Sequence, residues 1–467
     1  MNPGSQKPIR LAMGALGLVA IMMMAFALIA LNLAPSLILL LTVAGIALPI
    51  LILRPEAGLH LFIVITLFES YGQAEQTFTI GKMGGVIIMG SWLLSVAVSR
   101  RIDLRLNGQI LTMVFFLAWS GLSILVASDN NVAVRQTLTY LQLMLAMLMF
   151  GSVVKSLAAL QRLLRTLVTA ITLAAVHGLY MYASGQAPTT AGIVINRNGM
   201  AVYLTVAIAC AYILYQVSQH GLERLALMIA LPIQFVALAL TYSRAGIIGL
   251  GVVVALVGYR LARQSGYLIL GATAAMALVI AIGLPTAFYK RVESIGSSVK
   301  NQEDTFGQRV ELAGAGVRMI SAHPFLGVGA GNFGIVLPRY GRGGYLLGGH
   351  WASHNTYVGL AAESGVLALA LFLGCLYFAF KDLRAVVRAG DQADPRLALL
   401  AIAVEVSIVA FLVSGLSGNH EKTKYFYLFL GLVLSLDGIR RRMPAPAPAA
   451  EADPDAVDLA SPVAVVR

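Results

Sequence analysis

Only two cysteines occur in this 467-residue chain, Cys210 and Cys375, and both fall within apolar runs. They read as small core residues, which removes a disulfide framework and a cysteine-based metal cluster from consideration. Charge is scarce as well, at 12% of residues. The short alternating strands of a β-barrel are absent. So are a phosphate loop, an Asp-x-Asp metal motif and a glycosidase-like carboxylate pair on the surface that the topology below makes external. No repeat recurs at a fixed period, so the matched halves of an inverted-repeat transporter are missing.

What is present is hydrocarbon-soluble. The composition is 58% hydrophobic, and apolar runs of about 20 residues recur from end to end, each long enough to cross a bilayer core. Fourteen such runs are read, from 11–33 to 422–439. The third and fourth, at 57–72 and 82–98, are short, so 12–14 crossings are expected. The fold class is an all-α polytopic membrane protein. The run at 11–33 follows Lys7 and Arg10 but is too long for a signal-peptide core, and is read as a retained first span. With the N-terminus in the cytoplasm and the spans alternating, 20 of the 33 basic residues fall on cytoplasmic connections. Seven more lie in one long external loop at 289–353, which escapes the positive-inside bias. That bias accounts for the net charge of +12 without nucleic acid as a partner. The organisation is then membrane helices at 1–288, the loop at 289–353, further membrane helices at 354–442, and a Pro/Ala-rich cytoplasmic tail at 443–467 with no chemistry of its own.

Three polar constellations fall on the external side. In Asn196-Arg197-Asn198, Asn198 suits a helix N-cap, while Arg197 has no helical duty. Thr241-Tyr242-Ser243-Arg244 joins two apolar runs with almost no loop, and an arginine there faces a cavity, an anion or a lipid headgroup. The long loop is the third. Val310, Ala313, Val317 and Ile320 recur at helical spacing, predicting an amphipathic helix on the membrane surface with Arg309 and Arg318 at its polar margin. His323-Pro324 ends it. Gly327, Gly329, Gly331 and Gly334 permit tight turns or close backbone approach. His350 and Ser353-His354-Asn355 follow, with Ser353 as the expected N-cap and His354 in the first helical turn. There the helix end disfavours an imidazolium, leaving a neutral base. His350 and His354 are four apart, but no carboxylate completes a zinc motif, so no metal site and no cofactor are expected. Glu363 and Glu405 lie inside apolar runs and need partners. Several arginines beside one neutral histidine suit an activated phosphate ester attacked by a hydroxyl: cations for the leaving group, a base for the nucleophile.

Asn-Arg-Asn at 196–198, Tyr-Ser-Arg-Ala-Gly at 242–246, the arginine pair at 309 and 318, the 323–333 stretch HPFLGVGAGNF, and Ser-His-Asn-Thr-Tyr at 353–357 with Glu-Ser-Gly at 363–365 occur here in one order. In these features the chain resembles the O-antigen ligase and polymerase superfamily of bacterial envelope glycosyltransferases. The resemblance covers roughly residues 190 to 440; the N-terminal third matches only in hydropathy, and fourteen runs exceed the twelve or so spans usual for the ligases. It implies a GT-C-like helical fold in the bacterial inner membrane, with the active site at the periplasmic face and both termini cytoplasmic. It also implies a metal-independent transfer of a glycan from an undecaprenyl-pyrophosphate carrier to an acceptor hydroxyl. That acceptor is lipid A-core for a ligase, or a growing O-antigen or exopolysaccharide chain for a polymerase. His354 resembles the family's catalytic histidine. Arg244 and Arg309 resemble the arginines that hold the carrier pyrophosphate, with Arg197 as a third; Asn355, Arg318, His323 and His350 are secondary candidates. The competing reading is a transporter or flippase for an anionic lipid-linked sugar, for which Glu363, Glu405 and His177 are the available intramembrane groups.

Overall fold

The computed structural model describes residues 51–68, 80–99, 104–192, 196–261, 305–342 and 351–443. The expected spans at 11–33, 36–53 (but for its last three residues) and 265–288, together with His350 and the tail beyond 443, lie outside the described residues. Within them every regular element is helical and no strand occurs. The helices are α1 (Pro55–Phe68), α2 (Ile80–Ser99), α3 (Gly108–Leu122), α4 (Asn130–Val153), α5 (Leu157–Ala183), α6 (Arg197–Val217) and α7 (Gly221–Ala239). They continue with α8 (Arg244–Leu261), α9 (Thr305–Ala322), α10 (Phe333–Tyr340), α11 (Thr356–Ala393), α12 (Pro395–Ser414) and α13 (Lys424–Arg442). Seven segments are long and apolar enough to cross a membrane: α3 with the 3₁₀ turn that extends it to Val126, α4 to α7, α11 and α12. The chain is an all-α polytopic membrane protein.

Sequence explains the centre of the bundle. α6 and α12 are apolar on every side, and 78% of the spanning window of each is buried inside the protein; a helix hydrophobic all round belongs in a core. They pack on one another, with α8 against both and α11 and α13 against α12. α11 also lies along α3, and α13 along α4. Connections of one to nine residues join α6 to α7, α7 to α8, α11 to α12 and α12 to α13, so successive helices reverse direction and the bundle has two faces. One face collects the N-termini of α6, α8 and α11 with the C-termini of α5, α7 and α12. The other collects the N-terminus of α5 with the C-termini of α2 and α4.

α9 departs from the expected stripe. Val310 and Val317 are more than half exposed, while Leu312, Ala315 and Met319 form the buried side, packed with Phe333, Val336 and Leu337 of α10. The small residues decide this: a Cβ on Gly316 would overlap Val358 of α11, so this side of α9 approaches α11 closely where a valine side would not.

The segment between α9 and α10 is a docking strip. Val328 N donates to Ala362 O at 2.9 Å, Val366 N to Pro324 O at 2.8 Å, and Gly331 N to Glu363 Oε2 at 2.8 Å. Its other edge meets the α3–α4 corner: Trp119 Nε1 donates to Phe325 O (3.2 Å), Ala330 N to Ser123 Oγ (3.0 Å) and Asp129 N to Asn332 Oδ1 (2.7 Å). Gly327, Gly329 and Gly331 have positive φ; Gly334 instead lies inside α10. α11 yields to the strip by breaking at Gly365, whose φ is 85° and where a Cβ would stand 1.7 Å from Phe325 O. Glu363 thus finds its partner in the strip's backbone, and Glu405 finds Arg260 of α8 at 2.5 Å. Those two carboxylates do not meet.

Candidate functional site

The site is assembled from helix ends. Asn196, not Asn198, caps α6: its side chain accepts from Asn198 N at 2.9 Å, and Arg197 is the first helical residue. The cap is set two residues earlier because Asn198 has another task. Its Oδ1 accepts from Ser243 Oγ at 2.8 Å, tying the start of α6 to the start of α8. Gly246 lets those helices close up, since a Cβ there would lie 2.5 Å from that of Ala201. Arg197 and Arg244 therefore open two adjoining helices at the same face.

Asn355, not Ser353, caps α11, accepting from Tyr357 N and Val358 N at 3.0 Å each. Its amide nitrogen also holds Leu416 O at 3.1 Å. His354 consequently stands before the helix rather than in its first turn, with a left-handed backbone, φ 50°. Tyr242, two residues before Arg244, has φ 52°, and these are the only non-glycine positive-φ residues among those described. Such conformations cost on the order of 1–3 kcal/mol and gather at functional sites. Both stand at this face.

Docking of α9 on α11 carries Arg309 into the field of the other two groups. Burial first, then the like charge of Arg244, pulls the Arg309 guanidinium below its ordinary range. Burial first, then Arg309, pulls the half-buried His354 imidazole below 6.5. The ring is neutral near pH 7 for these reasons, more than through the helix end alone. Tyr242 is pushed up to about 12 by burial and by its 2.8 Å hydrogen bond to Tyr182 Oη, so it stays a neutral phenol. Arg244, Arg309 and His354 form one electrostatic group, with Arg197 at the adjoining helix start.

The remaining candidates are held elsewhere. Arg318 donates to Glu311 Oε1 (2.5 Å) and Tyr340 O (2.6 Å), bracing α9 against α10. The exposed His323 meets Tyr340 Oη at 2.9 Å. Among the described residues, no group of three or more His, Cys, Asp or Glu side chains could hold a metal ion. Sequence reading passed over the α12–α13 connection, which supports the histidine turn. Asn419 Nδ2 donates to Ser353 Oγ (2.9 Å), Thr356 Oγ1 to buried Glu421 Oε2 (3.0 Å), and His420 N to Thr356 Oγ1 (2.9 Å). A polar triplet, Asn419-His420-Glu421, between two apolar runs was the available signal.

Fold and geometry together describe an integral membrane protein in which arginines and a histidine gather at one face. A family model described as O-antigen ligase matches residues 225–373, and that region carries the domain of the O-antigen ligase and polymerase superfamily. The match includes Arg244, Arg309 and His354 and begins after Arg197. The match spans about a third of the chain and supports, at the level of the family, an enzyme of the O-antigen ligase and polymerase type. No curated protein matches the chain.

Proposed function

We propose that the protein transfers a glycan from an undecaprenyl-pyrophosphate carrier to an acceptor hydroxyl at the periplasmic face. The observation that carries this is the grouping of a half-buried histidine, neutral near pH 7, with two mutually repelling arginines, Arg309 itself half-buried. Arginines held in this way favour an anion, and pyrophosphate offers oxygens for forked, charge-assisted hydrogen bonds. His354 takes the proton of the acceptor hydroxyl as its oxygen bonds to the anomeric carbon. The bond from that carbon to the pyrophosphate oxygen breaks, and its electron pair leaves with the lipid pyrophosphate, held by Arg244 and Arg309 with Arg197 beside them. Attack opposite the leaving group inverts the anomeric centre. No step calls for a metal ion.

Basic residues support the orientation. Lys155, Arg162, Arg165, Arg224, Arg388 and the 440–442 triplet all lie at the other face, which the positive-inside bias makes cytoplasmic, together with both termini. The loop 289–353 is then a periplasmic module set between membrane helices at 1–288 and 354–442. Ligation to lipid A-core and chain polymerisation share this chemistry.

Purified protein in lipid nanodiscs, given a lipid-pyrophosphate glycan and alternative acceptors, tests the reading. His354→Asn should lower transfer about 10²- to 10⁴-fold, the usual contribution of a general base. Asparagine tolerates the left-handed backbone, so the fold should hold. Near-normal transfer by that variant would remove the base assignment.

A further inference from the structure

At the opposite face of the bundle lies a polar cavity of about 710 Å³. Its walls are the start of α1, the end of α2, the α4–α5 corner and the first turns of α5. It is remote from the arginine–histidine group: Arg162 lines it near the beginning of α5, while Tyr182, which touches Tyr242, stands about 30 Å further along the same helix. Three cationic side chains, Arg54, Lys155 and Arg162, line it against one described carboxylate, Glu56. That carboxylate is engaged, accepting from Arg162 Nε at 2.9 Å and Nη2 at 2.7 Å. The first turn of α1 opens on the cavity, with Pro55 at its first position, adding the positive end of a helix to the side-chain charge.

The remaining lining is His60, three serines and apolar side chains. Trp92 is buried against it, its Nε1 donating to Ser152 Oγ at 3.0 Å. Beside Arg54 and Ser99, at the rim, Leu53 is 78% and Val98 80% exposed. In a membrane-spanning chain such residues face acyl chains. The cations then stand at the boundary of hydrocarbon and water, the depth of a glycerophospholipid phosphate. The volume exceeds what a lone phosphate ion needs and suits a headgroup with its glycerol.

We propose that this cavity binds the phosphate headgroup of an anionic glycerophospholipid, at the membrane face opposite the transfer site. Arg54 and Lys155 attract the phosphate, Arg162 is fixed by Glu56 at its side, and the apolar rim takes the first part of the acyl chains. The site is separate from donor binding and stands whether or not the transfer reading holds.

Native mass spectrometry of the full-length protein, released from phosphatidylcholine nanodiscs with phosphatidylglycerol titrated in, tests this. Arg54→Gln and Lys155→Gln should each weaken phosphatidylglycerol retention about fivefold, and the double variant roughly 25-fold. Both side chains are exposed, so the single variants decide the matter if the double one does not insert. Arg388→Gln, an exposed cation at the same face outside the cavity, should retain the lipid as the parent protein does. Millimolar inorganic phosphate should not displace it. Unchanged retention in the Gln variants, equal loss in Arg388→Gln, or equal retention of phosphatidylcholine would overturn the proposal. Displacement by inorganic phosphate would assign the cavity to a soluble anion instead.

Discussion

His354 carries two unusual properties at once, a left-handed backbone and an imidazole pulled below 6.5 by burial and by Arg309. A base must be neutral to act, so the acid limb of the kcat/KM profile should fall below that ordinary value. Removing the neighbouring charge reverses the second cause. Arg309→Gln should move the acid limb to higher pH, because the imidazole regains proton affinity, whereas Arg309→Lys should hold it near its original position. A pH series of initial transfer rates decides this, and it separates an electrostatic role of Arg309 from simple donor binding, which changes KM without shifting the limb.

The 323–333 strip and the break in α11 act as a single joint. Its function is positional: by seating α9 against α11 it brings Arg309 within range of His354, although 45 positions separate them in the chain. Gly365→Ala should fail at this joint, because it places a methyl group against Phe325 O in a backbone region that alanine avoids. A loss of about 2–4 kcal/mol is expected, read as a lower melting temperature in nanodiscs and reduced transfer with no reacting group altered. Glu363→Gln keeps an acceptor for Gly331 N and should cost much less than Glu363→Ala, which leaves that amide without its side-chain partner. Comparable melting of the two variants would show that this hydrogen bond contributes little.

For the molecule as a whole, the two-faced arrangement gives a labelling pattern. Cys210 and Cys375 are fully buried and should be silent to a membrane-impermeant maleimide. Ala352→Cys, exposed beside His354, should label in cells whose inner membrane is intact. Arg388→Cys, exposed at the far face, should label only after lysis. Stability should also depend on pH through His420. Burial lowers its imidazole from 6.5 to about 4, and its Nε2 lies 2.9 Å from Ser414 Oγ. The unfolded chain binds a proton near 6.5 that the folded chain refuses until about 4. The contribution is therefore fully present above 6.5 and is lost as pH falls through that window, on the order of 2 kcal/mol by pH 5. His420→Gln should flatten the melting temperature between pH 7 and 5, compared with the parent protein.

The membrane-helix class and the candidate polar groups were legible in the residues, because both depend on local composition. An apolar run of bilayer length has few alternatives, and Arg197, Arg244, Arg309 and His354 stood out as polar groups at the ends of such runs or in the loop between them. Finer placement was not legible, because it depends on neighbours distant in the chain. Which asparagine caps α6 or α11 follows from what the other polar groups are bonded to: Asn198 is drawn to Ser243, Ser353 to Asn355 O and Asn419. Which side of α9 is buried follows from where a glycine allows contact with α11, a preference that apolar spacing alone does not contain. Glu363, isolated in its own helix, acquires a purpose only when the glycine strip lies across it. The local chain supplied the charges and the imidazole; packing between separate helices brought them within reach of one another, since an electrostatic effect on a pKa requires proximity that no single segment provides.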